Sequence, residues 1–305
     1  MNPLISIIVP AFNRANTIAR TINSILLQTY SDFEIIVVED GSTDETIKVL
    51  QQFTDMRLKI IYHDTNKGVT AAKNTGLNNI HGEWFTILDS DDEIIPKALE
   101  IMMKIPLEKD STVTAVTCNC TDTRTGKFSG KGLAFEGYVD FNTLITECEG
   151  EFWGITKTEL LLNDRFNEDL WGFERTLWFK INERANRYYI HEALRIYHTE
   201  GNDRVSKVHS SLEKTSNHYQ ALSEETYYLQ VLKTYLPKSL AKDCLWAVIY
   251  LRADNKKEFA NFYFNYLRKM NKYNLYKALS FFVYYSHPFI IRQGIKFWKS
   301  VRLKK

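Results

Sequence analysis

The sequence predicts an α/β protein, with a Rossmann-like and mostly parallel sheet sandwiched by helices and a helical C-terminal region. Two observations lead to this fold class. Over the first hundred residues, short apolar runs rich in β-branched residues alternate with segments of helical periodicity, and after about residue 207 the pattern is helical throughout. Strands and helices that alternate in this way form a parallel sheet covered on both faces.

The first four strands and three helices follow each other in order. Strands at 4–9, 34–38, 58–62 and 84–88 are separated by helices at 18–26, after the turn 41–44, and at 70–79. Ser42 or Asp44 is expected to cap the second helix. Ligands of such sheets bind at the carboxyl ends of the strands. The residues predicted at those ends are Pro10, Asp40, Asp64 and Asp89.

The rest of the chain is less regular until the helical region. Residues 112–135 are predicted as short strands with a turn at Thr125-Gly126, either a hairpin or an extension of the sheet. Residues 151–200 return to an α/β pattern, with a helix around Leu177 and a strand near 194–197. Helices follow after about residue 207.

The composition is typical of a folded soluble protein, because 44% of the 305 residues are hydrophobic and 25% are charged. A net charge of +2 argues against a nucleic-acid partner. The four cysteines lack the paired spacing of a zinc site and are expected to be reduced thiols. They are Cys118, Cys120, Cys148 and Cys244.

The N-terminus leads directly into a strand, without the pattern of a signal peptide, so we expect a cytoplasmic protein. The longest apolar stretch, 278–291, is interrupted by His287 and Pro288. It is shorter than the roughly 20 residues that span a bilayer.

Four carboxylates occur in the segment Asp89-Ser90-Asp91-Asp92-Glu93, directly after an apolar strand. Several like charges at one sheet edge cost energy unless a cation is bound there. Asp89 and Asp91, one residue apart across a turn, can share a hard divalent cation that also takes oxygens from a diphosphate. The alternative is an acidic loop that caps the helix beginning near Pro96.

Two further side chains are candidates for a nucleotide site. Asp40 follows the second strand, where its carboxylate could accept a hydrogen bond from a nucleobase edge, or could cap a helix instead. Lys73 lies on the helix after the third strand and could reach a phosphate. Alone, it would more often be a solvated surface lysine.

Five motifs in fixed order resemble those of the family 2 glycosyltransferases. The motifs are Ile7-Ile8-Val9-Pro10-Ala11-Phe12-Asn13-Arg14, Gln28-Thr29-Tyr30, Val37-Val38-Glu39-Asp40-Gly41-Ser42-Thr43-Asp44, Ala71-Ala72-Lys73-Asn74-Thr75-Gly76 and Leu88-Asp89-Ser90-Asp91-Asp92. The resemblance implies the glycosyltransferase A fold, a nucleotide-diphosphate sugar donor, Mn²⁺ or Mg²⁺, and inversion at the anomeric carbon.

The resemblance also implies roles for individual residues. Pro10, Phe12 and Asp40 would hold the base and ribose, and Lys73 would replace the usual arginine near the base or diphosphate. Asp89 and Asp91 would handle ribose and metal. The predicted donor-binding set is completed by neighbours in the same motifs, namely Ala11, Arg14 and Ser90.

The predicted catalytic base departs from the family pattern, because Glu174-Arg175 stands where Glu-Asp is expected. Glu174 takes the place of the base if the register follows Trp178, and Arg175 does if it follows the upstream side. We expect Glu174 to be the base, since a guanidinium does not give up its proton near neutral pH. Arg175 would then clamp a donor phosphate or an anionic acceptor. The pair Glu168-Asp169 is a rival, and an acidic helix start favoured by the macrodipole is the structural alternative. With Asp91, Glu174 and Arg175 form the predicted catalytic set.

The segment 197–204 resembles the family's region behind the diphosphate. His198 in it is expected to be the third metal ligand beside Asp89 and Asp91, or a phosphate donor; a structural histidine is the alternative.

The last part of the chain, 273–305, mixes aromatic residues with lysines and arginines. Such helices lie in the interface of an anionic bilayer, or pack against the catalytic domain or a second subunit. The first alternative would place the protein at the inner face of the cell membrane.

The resulting expectation is an inverting, metal-dependent glycosyltransferase that moves a sugar, preferably from a UDP-sugar, to a glycan or lipid-linked glycan, as in cell-surface polysaccharide synthesis. Residues 1–110 would bind the donor, 111–206 the acceptor, and 207–305 a membrane or another subunit of a homo-oligomer. The alternatives are an inactive sugar-nucleotide-binding protein and a nucleotidyltransferase. The latter would need a glycine-rich basic loop after the first strand, and residues 10–14 offer none.

Overall fold

A computed structural model describes residues 3–170, 172–199 and 211–302 of the chain. It divides into two compact units, Met1–Asn202 and Asp203–Lys305. The first unit contains a sheet with helices on it, and the second consists of helices.

The first unit is built around a single sheet. Its strands are β1 (Ile5–Ala11), β2 (Phe33–Glu39), β3 (Leu58–Tyr62), β4 (Trp84–Ile87), β5 (Glu93–Ile94), β6 (Ala115–Asp122), β7 (Gly137–Val139), β8 (Phe152–Lys157) and β9 (Arg187–Tyr197). Its helices are α1 (Ile18–Leu26), α2 (Thr46–Leu50), α3 (Val69–Leu77), α4 (Ala98–Lys104), α5 (Phe141–Glu147) and α6 (Arg175–Arg184).

The strand order within the described residues is β3-β2-β1-β4-β8-β6-β9-β5, and β7 pairs with β9. The first four strands are parallel, as the sequence predicts. β8 then enters antiparallel to both β4 and β6, so the sheet is mixed in its second half. The predicted α/β fold class is confirmed.

The core explains why the first strands carry few polar residues. Every residue of β1 is buried, as expected for a strand that has helices on both faces. Ile18, Ile22 and Ile25 of α1 recur at helical spacing and belong to the same core. On α3, Gly76 lies against Ile8 of β1, where a Cβ atom would come within 2.3 Å of the Ile8 Cγ2.

The register brings the ends of the first strands together. Ala11 at the end of β1 pairs with Glu39 at the end of β2, and Ile8 pairs with Ile87 of β4. β2 and β3 lie on one side of β1, and β4, which follows them in the chain, lies on the other side of β1. The point between β1 and β4 is therefore a topological switch, where sheets of this kind bind ligands.

Two local predictions, the end of the fourth strand and the cap of the second helix, need correction. The fourth strand ends at Ile87, and the second helix begins at Thr46, after an N-cap without a side-chain bond. Asp44 still accepts from the Thr46 amide, whereas the Ser42 hydroxyl accepts from the Asn13 amide.

Of the two alternatives predicted for 112–135, the extension of the sheet is found in β6, and the hairpin is reduced to one bridge, Thr121 to Phe128. β6 instead pairs along its length with β8 and β9 inside the sheet. Because β8 and β9 occupy both edges of β6, a segment next to β6 in the sequence cannot pair with it along its length.

The second unit comprises α7 (Leu212–Leu222), α8 (Thr226–Tyr235), α9 (Pro237–Ala253), α10 (Lys257–Arg268), α11 (Asn274–Tyr285) and α12 (Pro288–Arg302). Buried apolar residues of α9 form its centre, with Leu240, Val248 and Leu251 fully enclosed. In the part of the chain that the structure describes, no helix has the length and apolar character needed to cross a bilayer.

Candidate active site

The acidic turn after β4 is held by an arginine from β9. The Arg195 Nη2 lies 2.6 Å from the Asp89 Oδ2, and its Nε lies 2.7 Å from the Asp92 Oδ2. The Arg195 side chain is only 5% exposed, whereas that of Asp89 is 43% exposed. Arg195 therefore orients Asp89 without covering it. Sequence reasoning missed this residue, although a cation between Leu194 and Ile196 in an apolar strand indicates a buried partner.

The other carboxylates of the turn differ in their partners. Asp92 also accepts from the His198 amide, and Glu93 lies 3.3 Å from the Arg20 Nε and 2.8 Å from the His198 Nε2. Asp91 forms no salt bridge to any side chain in the described residues. Arg195 and Arg20 therefore offset part of the negative charge of the four carboxylates. A bound cation would act mainly on Asp91 and its neighbour Asp89.

The pKa shifts of Asp89 and Asp91 agree with a cation site that the two carboxylates share. Burial acts to raise the pKa of Asp89, but Arg195 and Lys73 hold it below its usual value. Burial, and then the charge of Asp89, raise the pKa of Asp91. A cation placed between the two groups would relieve both the burial of charge and the repulsion.

The two residues fit a cation that is shared with a substrate. Mg²⁺ in proteins is commonly held by one or two carboxylates and completed by phosphate oxygens and water. Among the residues that the structure describes, no group of three or more His, Cys, Asp or Glu is arranged to hold a metal. His198 lies against Glu93, and its proposed role as a third ligand stays a prediction. Residues 200–204 of its segment lie outside the described residues.

The predicted base lies against the predicted phosphate lysine. The Lys73 Nζ is 2.6 Å from the Glu174 Oε1, and the two residues are 101 positions apart in the chain. The Lys73 side chain is 7% exposed, so the alternative of a solvated surface lysine is wrong. Glu174 immediately precedes α6, while Arg175 begins that helix and is exposed. The charge of Lys73 also acts on Asp89, so Lys73 connects Glu174 with the acidic turn.

Asn74, the neighbour of Lys73, fixes the segment that leads to Glu174. Its Oδ1 accepts from the Phe166 amide at 2.9 Å, and its Nδ2 donates to the Phe166 carbonyl and to the Glu168 Oε1. Both rival carboxylates, Glu168 and Asp169, are exposed. Sequence reasoning missed Asn74, because the contact joins segments far apart in the chain.

A further carboxylate that sequence reasoning missed is Glu151, just before β8. Loss of water contact raises its pKa; Asp89 and Glu174 act in the same direction, and Arg195 opposes them. The residue nevertheless remains exposed. Glu151 and Glu174 are therefore close enough for their charges to act on each other.

At the donor end, Asp40 organises the loop after β3. It is buried and accepts from the His63 Nδ1 at 2.6 Å and from the amides of Lys67 and Gly68 at 2.9 and 2.8 Å. A carboxylate has about four acceptor positions. These three contacts therefore use all but about one acceptor position of the buried carboxylate, and its role in binding a base stays a prediction.

The loops after β1 and β2 are joined to each other. The Asn13 Oδ1 accepts from the Thr43 backbone amide, and the Asn13 backbone amide donates to the Ser42 hydroxyl. Asn13 has a φ of 53°, which turns the chain sharply after Phe12. Pro10 and Ala11 are buried in the strand, whereas Phe12 projects with partial exposure. The Arg14 guanidinium donates to the Phe12 and Asn13 carbonyls.

Sequence comparison relates this chain to sugar-transferring enzymes. The model of the family described as Glycosyl transferase family 2 matches residues 6–158. The GalNAc(5)-diNAcBac-PP-undecaprenol beta-1,3-glucosyltransferase of Campylobacter jejuni is 36% identical over 251 residues, which cover 79% of this chain and 78% of the relative. The UDP-Glc:alpha-D-GlcNAc-diphosphoundecaprenol beta-1,3-glucosyltransferase WfgD of Escherichia coli is 32% identical over 145 residues, or 48% of this chain and 56% of the relative.

Structural comparison agrees on the fold. The crystal structure of Staphylococcus aureus TarS (residues 1–349) in complex with UDP-GlcNAc superposes with a TM-score of 0.63 and 20% sequence identity. The match covers 88% of this chain and 74% of the TarS chain. It supports the same arrangement of sheet and helices.

Proposed function

Because this chain belongs to the family 2 glycosyltransferases, we propose that it moves a sugar from a UDP-sugar to a lipid-linked glycan, with inversion at the anomeric carbon. Both named relatives act on acceptors linked to undecaprenol through a diphosphate, and one of them uses UDP-glucose. The observation that carries the proposal is the contact of Glu174 with Lys73, whose charge also acts on Asp89 of the acidic turn.

In the proposed complex, the donor lies across the switch point between β1 and β4. Phe12 and Asp40 hold the base and ribose, with Pro10 beneath them. Asp89 and Asp91 would hold Mn²⁺ or Mg²⁺, and a bound cation would offset the negative charge of the departing diphosphate. His198 is proposed as a further ligand. Arg175, at the start of α6, is proposed to clamp an anionic group of the donor or the acceptor.

The chemical step depends on Glu174. The acceptor hydroxyl attacks the anomeric carbon, the bond from that carbon to the diphosphate oxygen breaks, and Glu174 takes the hydroxyl proton. Lys73 donates to the Oε1 and holds the carboxylate in place. A carboxylate has two oxygens, so the Oε2 is left for the acceptor hydroxyl.

The proposal is tested by following UDP release and sugar transfer with Mn²⁺ and a panel of UDP-sugars. We expect Asp91→Asn to lose metal-dependent turnover. Glu174→Gln should keep UDP binding but lower transfer by about 10²- to 10⁴-fold, the range typical of a general base. Glu224→Gln is the matched control, because it changes an exposed carboxylate in the second unit.

Each contrary result has a definite meaning. Turnover that is unchanged by EDTA would exclude the metal. If the Glu174→Gln variant stays active, Glu168 or Asp169 is the base. If the wild-type protein binds UDP-sugars but releases no UDP, it is the inactive binding protein, the alternative that is motivated by Arg175 in place of the family's Asp.

A further inference from the structure

We propose that α11 and α12 form the surface with which this protein docks on an anionic lipid bilayer. We call this surface, residues 274–297, the aromatic face. The inference rests on the proposed function in one respect, since a lipid-linked acceptor gives an enzyme a reason to work at a bilayer.

The outer side of α11 is an apolar stripe. Leu275, Leu279 and Phe282 follow each other at spacings of four and three residues, which places them on one side of a helix. Phe281 and Tyr285 lie beside this stripe. All five residues are exposed, at 44–70%. Apolar surface of this extent on one helix is uncommon in a protein surrounded only by water.

α12 continues the same pattern. Ile290 and Phe297 are exposed at 64% and 72% and lie seven residues apart, two turns along one side of the helix. Phe289 at its start is also exposed. Lys296 is exposed beside Phe297. A helix with aromatic and basic side chains arranged in this way is typical of segments that lie in a membrane interface.

The inner sides of both helices are already satisfied within the second unit. Tyr284 of α11 stacks on Phe264 of α10 with ring centroids 4.4 Å apart. The Arg252 side chain donates to the carbonyls of Tyr284 and Ser286, where the two helices join. The Arg292 Nε donates to the Ala253 carbonyl at 2.6 Å. These contacts hold both helices on the second unit, while Leu275, Leu279, Phe282, Phe289 and Ile290 remain exposed.

Charge decides between a bilayer and a second copy of the chain. Residues 273–305 contain no acidic residue and seven lysines and arginines. A two-fold dimer through this surface would place the same cationic region on both sides of the interface. Anionic headgroups complement it, and they attract basic residues next to an inserted apolar surface. Tyrosine side chains, with an apolar ring and a polar end, also suit the interface.

The test is sedimentation of the full-length protein with vesicles of phosphatidylcholine, alone or mixed with anionic phosphatidylglycerol. We expect binding to the anionic vesicles that weakens at high salt. The variant Phe282→Ser/Phe289→Ser should bind at least about tenfold more weakly. Met56→Ser, which removes a fully exposed apolar side chain elsewhere, should bind as the wild type does.

A second pair of variants tests the charge. Lys296→Glu should weaken binding about fivefold or more, whereas Lys233→Glu, an exposed lysine of α8, should not. Unchanged thermal unfolding of each variant checks that it is folded. UDP release without vesicles should be the same in the serine variant and the wild type, which separates docking from catalysis.

The proposal fails if the wild-type protein does not sediment with anionic vesicles. It also fails if light scattering shows a wild-type dimer that the serine variant dissociates, because a second copy would then cover this surface. Failure of the proposed function gives a different result: no UDP release with any donor, while vesicle binding stays intact.

Discussion

Arg195 shows how a single residue shapes the candidate site. A buried guanidinium stabilises a protein only when its partners are well placed, because removing the charges from water costs several kcal/mol. Here Asp92 is enclosed and Asp89 is partly open, and both accept from the same side chain. Burial raises the pKa of Asp92 to about 6, so this carboxylate is still charged at neutral pH beside Arg195. Arg195 thus holds the turn on its buried side and leaves the Asp89 carboxylate partly exposed.

Removal of Arg195 is expected to be costly. Arg195→Met would leave Asp92 buried without a cation and should lower the free energy of unfolding by about 3–5 kcal/mol. Arg195→Lys should cost less, although an ammonium cannot contact both carboxylates with a planar fork. Urea denaturation measures both losses. The double variant Arg195→Met/Asp92→Asn should recover part of the stability, and strictly additive losses would show that the two residues are not coupled.

Among the elements, α3 connects the first strands of the sheet with the segment that carries Glu174, the proposed base. Lys73 and Asn74 bind Glu174 and Phe166, while Gly76 on the same helix lets it approach β1. One short motif therefore positions Glu174 against the sheet. This explains why lysine and asparagine are buried on a helix that would otherwise keep them in water.

The close approach of α3 to β1 predicts opposite effects for the same substitution in two helices. Alanine favours a helix over glycine by about 1 kcal/mol. At Gly76 the new methyl would overlap Ile8, and overpacking typically costs about 1–3 kcal/mol, so Gly76→Ala should destabilise the protein. At Gly294 of α12 nothing lies within 4 Å of a new Cβ, and Gly294→Ala should stabilise by up to about 1 kcal/mol. Denaturation curves of both variants test this; a neutral Gly76→Ala would mean that Ile8 moves aside freely.

The strand ends could be predicted from the sequence, but the contacts between distant segments could not. Hydrophobic runs locate β1 to β4, and parallel order then places Asp40 and Asp89 at one edge. Nothing local indicates that Arg195 from β9 reaches that edge, or that Lys73 meets Glu174. The choice between a hairpin and an extension of the sheet at 112–135 could not be made for the same reason, because β6 takes both of its neighbours from later in the chain.

On the scale of the whole molecule, the predicted tasks fall in separate compact units. The predicted donor-binding residues lie between positions 10 and 91, in the first unit, and the aromatic face lies in the second. Each unit has its own buried core. A ligand of the first unit should therefore stabilise that unit selectively, because stabilisation by mass action acts on the structure that binds.

This selectivity can be measured by hydrogen exchange of the full-length protein with UDP and Mn²⁺. At a ligand concentration about 100 times the Kd, the bound structure gains about 2.7 kcal/mol, which corresponds to roughly hundredfold slower exchange through its unfolding. We expect slower exchange in peptides covering 5–14 and 84–93. Exchange in peptides of α9 should stay unchanged. Replacement of Mn²⁺ by EDTA should remove most of the protection at 84–93, because Asp89 and Asp91 then repel the diphosphate. Equal protection of α9 would contradict the assignment of the donor site to the first unit, and protection at 84–93 that persists in EDTA would contradict the metal.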